Sequence, residues 1–387
     1  MLRGMGLLAT IFLLFLSACG ENSSNEASNQ VSETPEYSPF DVNMYPPQKT
    51  VCDPFTDSQQ NSNEYYRGIR ADLYTVGEGE RYTKVQDYID NGVKSPRVIF
   101  LSDLNVRTRK FDMGFVNHLG QALRDDNDEV LIEDFALSMR TVFRLRDDQP
   151  SGKYEFAILS DDGATWEYRD RDGVYKELVD NDGQTPTRMG CSSVALDLQE
   201  GQSVLMNLKY YQGPRYHIAM VAMMRKIPDG EEPGKDPLCG QAGNRKFFDY
   251  DNNSEPQQAY RDLESRGWEV LKPRNFELPL VFSFNPCNQG ERPDIYDVAE
   301  KAIGEDRYIT WKTNKKSTSQ LVYTNQTTGE TYTSTSDNIM RTEHQVKIDT
   351  LSGSGGSQKA SGAYSIQPMS VSNTLGRSLG SGLDYQL

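Results

Sequence analysis

A strand pattern dominates the chain between residues 64 and 226, where short apolar, β-branched and aromatic runs are separated by Gly, Asp, Asn and Pro. In the run SVLMNLKYY, every second side chain is apolar or aromatic, so Val204, Met206, Leu208 and Tyr210 share one face of an extended strand. This alternation is typical of a half-buried antiparallel strand. Many such strands with turn residues between them favour a β-sandwich or a barrel.

The segment PDGEEPGKDP, residues 228–237, interrupts this pattern with Pro, Gly and charge and predicts a domain boundary. The stretch that follows is bracketed by Cys239 and Cys287 and contains one helix signal, NNSEPQQAYRDLESRGW. Asn253 or Ser254 can cap this helix, a proline falls in its first turn, and a glycine follows its end. We therefore expect a short helix between the two cysteines.

Beyond Pro293, β-branched and Thr-rich runs predict further strands. The periodicity of residues 297–303 taken alone would also allow a helix there. The tail after Asn373 is rich in Gly and Ser, so it forms a last edge strand or frays.

The leader, MLRGMGLLATIFLLFLSAC, has a basic Arg3 and an apolar run over 7–16 that is too short to span a bilayer as a stable helix, which predicts export. Its cleavage region, LSAC, resembles the bacterial lipoprotein signal. That resemblance implies removal of residues 1–18, attachment of lipid to Cys19 and, because Gly20 follows, placement in the outer membrane. An ordinary secretory leader is the alternative.

Residues 19–49 are rich in Asn, Ser, Glu and Pro and nearly empty of large aliphatic side chains. A segment of this composition cannot bury a core of its own. The sequence therefore predicts a disordered tether that separates the lipid from the folded body.

The charge balance narrows the choice of partners. The chain carries 56 acidic and 41 basic residues, a formal net charge of −15. Binding to nucleic acid, or direct adhesion to anionic lipid, requires basic surface, so the sequence argues against both. An acidic surface permits cation binding.

Four cysteines remain besides Cys19, in a chain that is expected to reach an oxidising compartment where disulfides persist. Four cysteines allow three connectivities. We expect Cys52–Cys191 and Cys239–Cys287, because each of these bonds would close within one proposed unit. A metal site is the weaker alternative, because no close C-x-x-C pair is present.

The region 64–226 resembles the protective-antigen-type (PA-fourteen) domain, a lectin-like β-sandwich of toxins, glycosidases and adhesins. The matching runs are YYRGIRADLY, SGKYEFAILSDDGATWEY, LVDNDG and VALDLQEGQSVLMNLKYYQGPRYHIAMVAMMRK. In the adhesins of this family, two consecutive aspartates joined by a cis peptide hold a calcium ion that binds sugar hydroxyls. The resemblance places Asp161 and Asp162 at those positions, and two carboxylates suit a cation that prefers oxygen ligands.

The chain departs from the adhesin pattern in a later loop, which supplies an asparagine to the calcium in the adhesins. The comparable run here, YYQGPRY, offers Gln212 and backbone carbonyls, and its Arg215 could pair with the acids instead of a metal. Asn181 and Asp182 in the VDNDG run are further candidate oxygen ligands, although spacing alone does not place them beside Asp161. Both readings of the acidic pair stay open: a calcium site, or a hydrogen-bonded Asp-Gly turn.

The C-terminal region, 293–387, resembles a fibronectin type III domain of the kind that precedes the catalytic domain of purple acid phosphatases. The matching runs are PDIYDV, YITWKTNKKSTSQLVYT, TEHQVKIDTL and AYSIQPMSVSNTLG. The resemblance implies a strand over 297–303 and a core position for Trp311. It confers no catalysis, because the phosphatase domain is not part of the match.

Catalytic chemistry finds little support. The three histidines, His118, His217 and His344, are widely spaced and lie in no H-E-x-x-H or G-x-S-x-G motif. The adjacent Asp161 and Asp162 cannot flank a glycosidic bond from two sides, as glycoside hydrolysis requires. We therefore expect a protein that is not an enzyme.

The sequence as a whole predicts a mainly β protein: two antiparallel β-sandwiches joined by a small disulfide-stapled connector with a short helix. The expected units are a signal peptide (1–18), a tether (19–49), a protective-antigen-type sandwich (50–227), a connector (228–292) and a fibronectin-type sandwich (293–387). The expected function is glycan recognition or adhesion at the bacterial outer membrane, on its periplasmic or outward face, with possible help from Ca²⁺. The alternatives are an envelope scaffold that contacts only proteins and an accessory subunit for a hydrolase.

Overall fold

Strands form throughout the described residues, and the protein is mainly β, which confirms the predicted fold class. The computed structural model describes residues 34–55, 64–77, 79–215, 217–282, 284–288, 290–348 and 361–387. The predicted signal peptide, Cys19 and the first part of the predicted tether lie outside these ranges. Residues from Glu36 to Leu387 form one compact unit.

The first sandwich consists of two sheets. Its elements, in chain order, are β1 (Thr50–Cys52), β2 (Ile69–Thr75), α1 (Val85–Asn91), β3 (Val93–Leu101), β4 (Asn105–Lys110), β5 (Phe135–Arg144), β6 (Gly152–Asp161), β7 (Ala164–Arg169), β8 (Tyr175–Asn181), β9 (Arg188–Cys191), β10 (Leu196–Leu198), β11 (Ser203–Gln212) and β12 (His217–Lys226). The first sheet has the order β1-β3-β2-β5-β11-β7-β8. The second joins β10, β6 and β12, with β9 also paired to β6 and β4 to β12. Among these pairs only β1 and β3 run parallel.

The predicted alternation in β11 is confirmed. Val204, Met206, Leu208 and Tyr210 are all buried in the core between the two sheets, whereas most of the residues between them are partly exposed. Strands β6 and β12 differ, because nearly every residue is buried on both faces. Both faces of the second sheet must therefore be covered by protein.

The connector covers the outer face of the second sheet. Its elements are β13 (Phe248–Asp249), β14 (Glu255–Pro256), α2 (Gln258–Ser265), β15 (Glu269–Val270) and β16 (Phe276–Glu277), with 3-10 helices at Pro273–Asn275 and Leu280–Phe282. Tyr260, Leu263 and Trp268 pack against Leu159 and Val221 of the sheet. Strand β15 pairs with β12, and β16 pairs with β5. The connector thus shares its apolar core with the first sandwich.

The predicted connector helix exists, but its predicted start is wrong. The helix begins at Gln258, after Gln257 as N-cap, rather than after Asn253 or Ser254. Pro256 instead pairs with Phe248 in a short hairpin, and this pairing holds the preceding residues out of the helix. The expected glycine after the helix, Gly267, has a φ of 88°, a backbone conformation that suits glycine at a helix end.

The predicted disulfide pairing is wrong. The bonds are Cys52–Cys287 and Cys191–Cys239. The expectation assumed that each bond closes within its own unit, whereas the connector lies against the sandwich and both bonds join the two. One bond links β1 to the end of the connector, and the other links β9 to its beginning.

The last part of the predicted tether is folded. Within residues 36–49, Val42 and Tyr45 are buried, and Tyr45 packs edge-on against Phe100 of β3 with ring centroids 5.0 Å apart. A 3-10 helix, Pro47–Lys49, leads directly into β1. Low aliphatic content misled the prediction, because a few aromatic and proline side chains suffice when a neighbouring sheet supplies the rest of the core. Within the described part of the chain, no helix is long and apolar enough to cross a membrane.

The C-terminal region forms a second sandwich of two antiparallel sheets. Its strands are β17 (Ile295–Ile303), β18 (Asp306–Ser317), β19 (Gln320–Asn325), β20 (Thr331–Thr333), β21 (Arg341–Lys347), β22 (Ala363–Val371), β23 (Arg377–Leu379) and β24 (Leu383–Gln386). Residues 297–303 are therefore in a strand, and the tail forms strands paired with β22. Trp311 lies in the core as predicted, stacked on the buried His344 at 4.9 Å. The Gly/Ser-rich run before Tyr364 lies largely outside the described residues.

A buried ion pair within the second sheet also contacts the connector. Glu155 of β6 is fully buried, and it accepts hydrogen bonds from Arg225 of β12 and, at 2.7 Å, from the backbone N–H of Gly234. Arg225 also lies 5.3 Å from the ring centroid of Trp268 and donates to Glu231 at 3.0 Å.

Replacing Glu155 by Gln should lower the free energy of unfolding by about 3 kcal/mol, because the buried guanidinium of Arg225 loses its buried counter-charge. Denaturant titration measures the change. The matched control is Glu231→Gln, which removes the half-exposed partner of the same arginine and should cost less than about 1 kcal/mol. Equal costs for the two variants would contradict the role assigned to Glu155.

Candidate ligand-binding site

Asp161 and Asp162 lie where the chain crosses from one sheet to the other. Asp161 is the last residue of β6 in the second sheet, and Ala164 begins β7 in the first sheet. Both aspartates are buried, with 6% and 5% of their surface exposed, and the peptide bond between them is cis. The acidic pair therefore belongs to the edge of the core rather than to an exposed hairpin.

Two further crossings meet the first at the same end of the sandwich. The β11–β12 crossing lies alongside, because Tyr210 is paired with Ala164 and Ala219 with Asp161. In the β8–β9 crossing, Asn181 is paired with Ala164 and Arg188 with Ser160. The structure thus brings all the predicted ligand candidates to one place: the turn with Asp161 and Asp162, the loop after Asn181 and Asp182, and the loop after Gln212.

Hydrogen bonds from both neighbouring loops reach the acidic pair. The backbone N–H of Gly213 donates to Asp162 Oδ2 at 2.8 Å, and Thr185 and Thr187 in the β8–β9 loop donate to Asp162 and Asp161, respectively. The Tyr210 hydroxyl donates to the Asp161 carbonyl at 2.5 Å and also lies 2.6 Å from Gln212 Oε1. The pair therefore holds three loops together.

Burial perturbs the protonation of both acids. It raises the pKa of Asp161 to about 8, with a further contribution from the charge of Asp162, while hydrogen bonds from Thr187 oppose the rise. It also raises the pKa of Asp162 to about 6; the N–H groups of Gly213 and Thr185 oppose this, and the nearby carboxylate of Asp134 adds to it.

No Lys or Arg among the described residues forms an ion pair with Asp161 or Asp162. Arg215, which the sequence offered as a partner, pairs instead with Glu133, with Nε 2.9 Å from Oε1. Arg188 donates to Asn181 Oδ1 at 2.7 Å. The acidic pair is therefore short of positive charge, which is the electrostatic condition that a bound cation would relieve.

The other predicted ligands are already engaged with protein. Asn181 is buried and donates to Ser160 Oγ at 2.8 Å, while the Gln212 amide donates to the His217 carbonyl at 3.0 Å. Asp182 Oδ1 accepts from the backbone N–H of Val85 at 3.0 Å, at the start of α1, whose own N-cap residue provides no side-chain cap. In this structure these three side chains therefore hold the loops around the acidic pair in place.

The sequence did not indicate three residues that contribute to the site. Thr185 and Thr187 belong to the loop after the VDNDG run, and Asp134 precedes β5. The Thr185 hydroxyl oxygen is buried and has no hydrogen-bond partner within the described ranges. The only available signal was the polar composition of these loops, which many turns share.

Two other features of the described residues bear on the candidate chemistry. The residues Trp166, Tyr210 and Tyr211 are fully buried, so they serve packing rather than a stacking platform for sugars. Among the described His, Cys, Asp and Glu residues, three potential metal-ligand atoms converge only at Cys52, His118 and Cys287, where the two cysteines form a disulfide. At the acidic pair, any further metal ligands would have to be hydroxyl, amide or backbone oxygens, or water.

Comparison with known proteins gives weak similarities. No protein-family model matches the sequence, and no curated protein matches it. Among solved structures, an anti-sigma factor domain-containing protein is similar at 12% identity and a TM-score of 0.32, over 82% of this chain and 98% of that one.

Solved structures similar to this chain also include PA14 domains. A PA14 sugar-binding domain from an RTX adhesin matches at 12% identity and a TM-score of 0.30, over 55% of this chain and 99% of its own. The epithelial adhesin 9 A domain from Candida glabrata, in complex with Galb1-4GlcNAc, matches at 14% identity and a TM-score of 0.30, over 48% and 91%. At these values the likeness assigns no function to this chain.

The raised pKa values predict how the stability of chelator-treated protein depends on pH. An acid whose pKa is higher in the folded state stabilises the fold below its ordinary pKa, and this contribution is lost as pH rises through the folded value. The contribution of Asp161 and Asp162 to the free energy of unfolding should therefore fall between about pH 4 and about pH 8.

Replacing Asp161 and Asp162 together by Asn should remove at least about 1.4 kcal/mol of this fall, the equivalent of one pKa unit. Urea titrations at both ends of the pH range measure it. The matched control replaces two exposed acids, Asp126→Asn with Asp147→Asn, and should keep the wild-type dependence. An unchanged dependence in the Asp161/Asp162 variant would contradict the assignment.

Proposed function

We propose that the protein is a noncatalytic glycan-recognition lipoprotein of the bacterial envelope, and that Asp161 and Asp162 form a calcium-assisted binding site. The observation that supports the proposal is the pair itself: two adjacent buried carboxylates with raised pKa values and no cationic partner among the described residues. Leaving two buried acids without a counter-charge is unfavourable, and a divalent cation supplies that charge.

The available ligands suit a hard cation. The carboxylates of Asp161 and Asp162 would hold it, and the buried hydroxyl oxygen of Thr185, with the backbone carbonyls of the β11–β12 loop, is a further source of oxygen. Bound calcium would accept sugar hydroxyls at its remaining positions. The missing asparagine of the adhesin pattern is not replaced by Gln212, whose amide is hydrogen-bonded within the protein.

The crossing loops would provide the recognition surface. Loops held on a rigid sandwich commonly carry binding residues. Here the three loops are fixed to one another through the acidic pair, and α1 is held to the same end by Asp182. A ligand would therefore meet a preformed surface.

The proposal includes no catalytic step. Asp161 and Asp162 sit side by side in one turn. Glycoside hydrolysis places its two carboxyl groups on opposite sides of the scissile bond. The pair therefore suits one shared ligand.

One observation favours a second candidate, an envelope scaffold without a small ligand. Both acids accept hydrogen bonds from the neighbouring loops, so the pair can also act only as a structural link, with Asp161 protonated at neutral pH. Surfaces elsewhere on the two sandwiches would then contact other envelope proteins. The two candidates differ in their response to calcium.

Calcium should stabilise the chelator-treated protein by about 2.7 kcal/mol when its concentration is about 100 times Kd, because only the folded state holds the site together. Thermal and denaturant titrations measure this shift. It should be lost in the double variant Asp161→Asn with Asp162→Asn and kept in the control Asp126→Asn with Asp147→Asn. The same samples on a glycan array, with and without chelator, then test recognition.

Three outcomes separate the candidates. A calcium shift in wild-type protein with calcium-dependent glycan binding supports the full proposal. Glycan binding that does not depend on calcium and is retained in the Asp161/Asp162 variant contradicts the metal site. Absence of both the shift and glycan binding favours the scaffold.

The lipid on Cys19 is a separate part of the proposal. The sequence motif supports it, and the mature protein should begin at Cys19 with acyl chains on that residue, because several chains together give durable membrane anchoring. Mass spectrometry of the N-terminal peptide from the native host measures the added mass. Cys19→Ala should abolish it, whereas an unmodified N-terminus in wild-type protein would contradict it.

A further inference from the structure

Two adjacent aliphatic side chains project from the connector into solvent. Leu280 is 99% exposed and Val281 is 77% exposed, both in the 3-10 helix Leu280–Phe282. We call these two residues the apolar tip. Single exposed apolar residues are ordinary on protein surfaces, whereas contiguous apolar exposure marks a surface that binds something.

The apolar tip is held firmly from below. The backbone N–H of Phe282 donates to the Pro279 carbonyl at 2.9 Å, which closes the turn, and the Tyr45 hydroxyl donates to the Phe282 carbonyl at 3.0 Å. The guanidinium of Arg70 lies 4.4 Å from the centroid of the Phe282 ring. The exposure of Leu280 and Val281 therefore belongs to a supported turn.

Apolar surface continues beside the turn. A cavity of about 430 Å³ is lined in part by Phe40, Met44, Tyr65 and Phe284. Phe40 packs against Phe284 and Tyr65 with centroid distances of 5.0 and 5.1 Å. Met44 and Tyr65 are each nearly half exposed. Tyrosine at the edge of an aliphatic surface is typical of proteins that lie at a membrane interface.

The course of the chain indicates what covers this surface. Phe40 and Met44 belong to the segment 36–49, which is the part of the described body that directly follows the N-terminal residues. Cys19 precedes Glu36 by seventeen residues, a length of chain that spans at most about 60 Å. Acyl chains on Cys19 would therefore hold a bilayer within reach of the face that carries the apolar tip.

We propose that the apolar tip, Leu280 and Val281, inserts into the lipid bilayer and orients the protein on the membrane. The occupant is the phospholipid acyl region, and the inference rests on the proposed lipid on Cys19. The contact is apolar rather than electrostatic, because the chain has a net charge of −15 and would be repelled by anionic headgroups. Added salt should therefore leave it unchanged.

The test uses the full lipidated chain, reconstituted in zwitterionic vesicles of phosphatidylethanolamine and phosphatidylcholine whose acyl chains carry bromine, a quencher of tryptophan fluorescence. The three native tryptophans, Trp166, Trp268 and Trp311, are all buried. A tryptophan introduced by Val281→Trp therefore reports on contact between the apolar tip and lipid.

The matched control is Val93→Trp. Val93 is 72% exposed, close to the exposure of Val281. It begins strand β3, seven residues and about 23 Å from Phe100, which packs against Tyr45 beneath the apolar tip. The two introduced tryptophans thus have similar exposure at separate points of one compact unit.

Brominated lipid should quench the tryptophan at 281 at least about threefold more than the tryptophan at 93. Leu280→Asn in the Val281→Trp background should reduce that quenching. Equal quenching at both positions would overturn the proposal. The proposal would also be overturned if the emission of the tryptophan at 281 shifts to the blue as the density of protein on the vesicles rises but is not quenched by bromine. The apolar tip would then contact a second copy of the chain. Mass spectrometry of the same samples reports acylation, so a missing lipid anchor is distinguished from a tip that does not touch lipid.

Discussion

The burial of both faces of the second sheet is the constraint on which the rest of the structure depends. Strands β6 and β12 present apolar side chains to the sandwich core on one side and to Trp268, Leu263 and Tyr260 of the connector on the other. The buried ion pair between Glu155 and Arg225 and the disulfide between Cys191 and Cys239 lie along this contact. Because β6 ends at Asp161 and β12 begins at His217, a sheet fixed on both sides also fixes the loops of the candidate site.

The sequence predicts well where one side of a strand faces solvent. The alternation in β11 marked both the strand and its buried face, and β-branched runs marked the second sandwich. Strands β6 and β12 contain adjacent apolar residues, over 156–159 and 218–224, which are typical of burial on two sides but do not identify the partner on the second side. That partner is the connector, and its position depends on contacts between segments far apart in the chain. The disulfide pairing could not be predicted for the same reason.

Short elements escaped prediction for a different reason. Helix α1 has only seven residues, and the carboxylate that meets its first turn belongs to Asp182, 97 positions away from Val85. The segment 36–49 carries few apolar side chains, yet Tyr45 finds a nearly complete core supplied by Phe100, Leu278 and Phe284. Local composition measures what a segment contributes to a core, whereas folding depends also on what its neighbours contribute.

The candidate site was predicted in part. The SDDG run marked the acidic pair as the candidate site and predicted that the pair serves one shared ligand or one turn. It did not predict Thr185, Thr187 or Asp134, because the convergence of three sheet crossings is a property of topology. Nor did it predict that the side chains of Asn181 and Gln212 would be occupied by hydrogen bonds within the protein.

The disulfide between Cys52 and Cys287 has a mechanical consequence. Tension applied through the N-terminus first meets residues 36–49, which are held by noncovalent contacts and yield first. At Cys52 the load passes through the covalent bond to Cys287, 235 positions further along the chain. Strand β1 has only three residues and ends at Cys52, so its first two residues resist the pull through hydrogen bonds, whereas the body beyond Cys52 is held by the covalent bond. A body held in this way keeps the geometry of its loops under a force that would remove so short a strand.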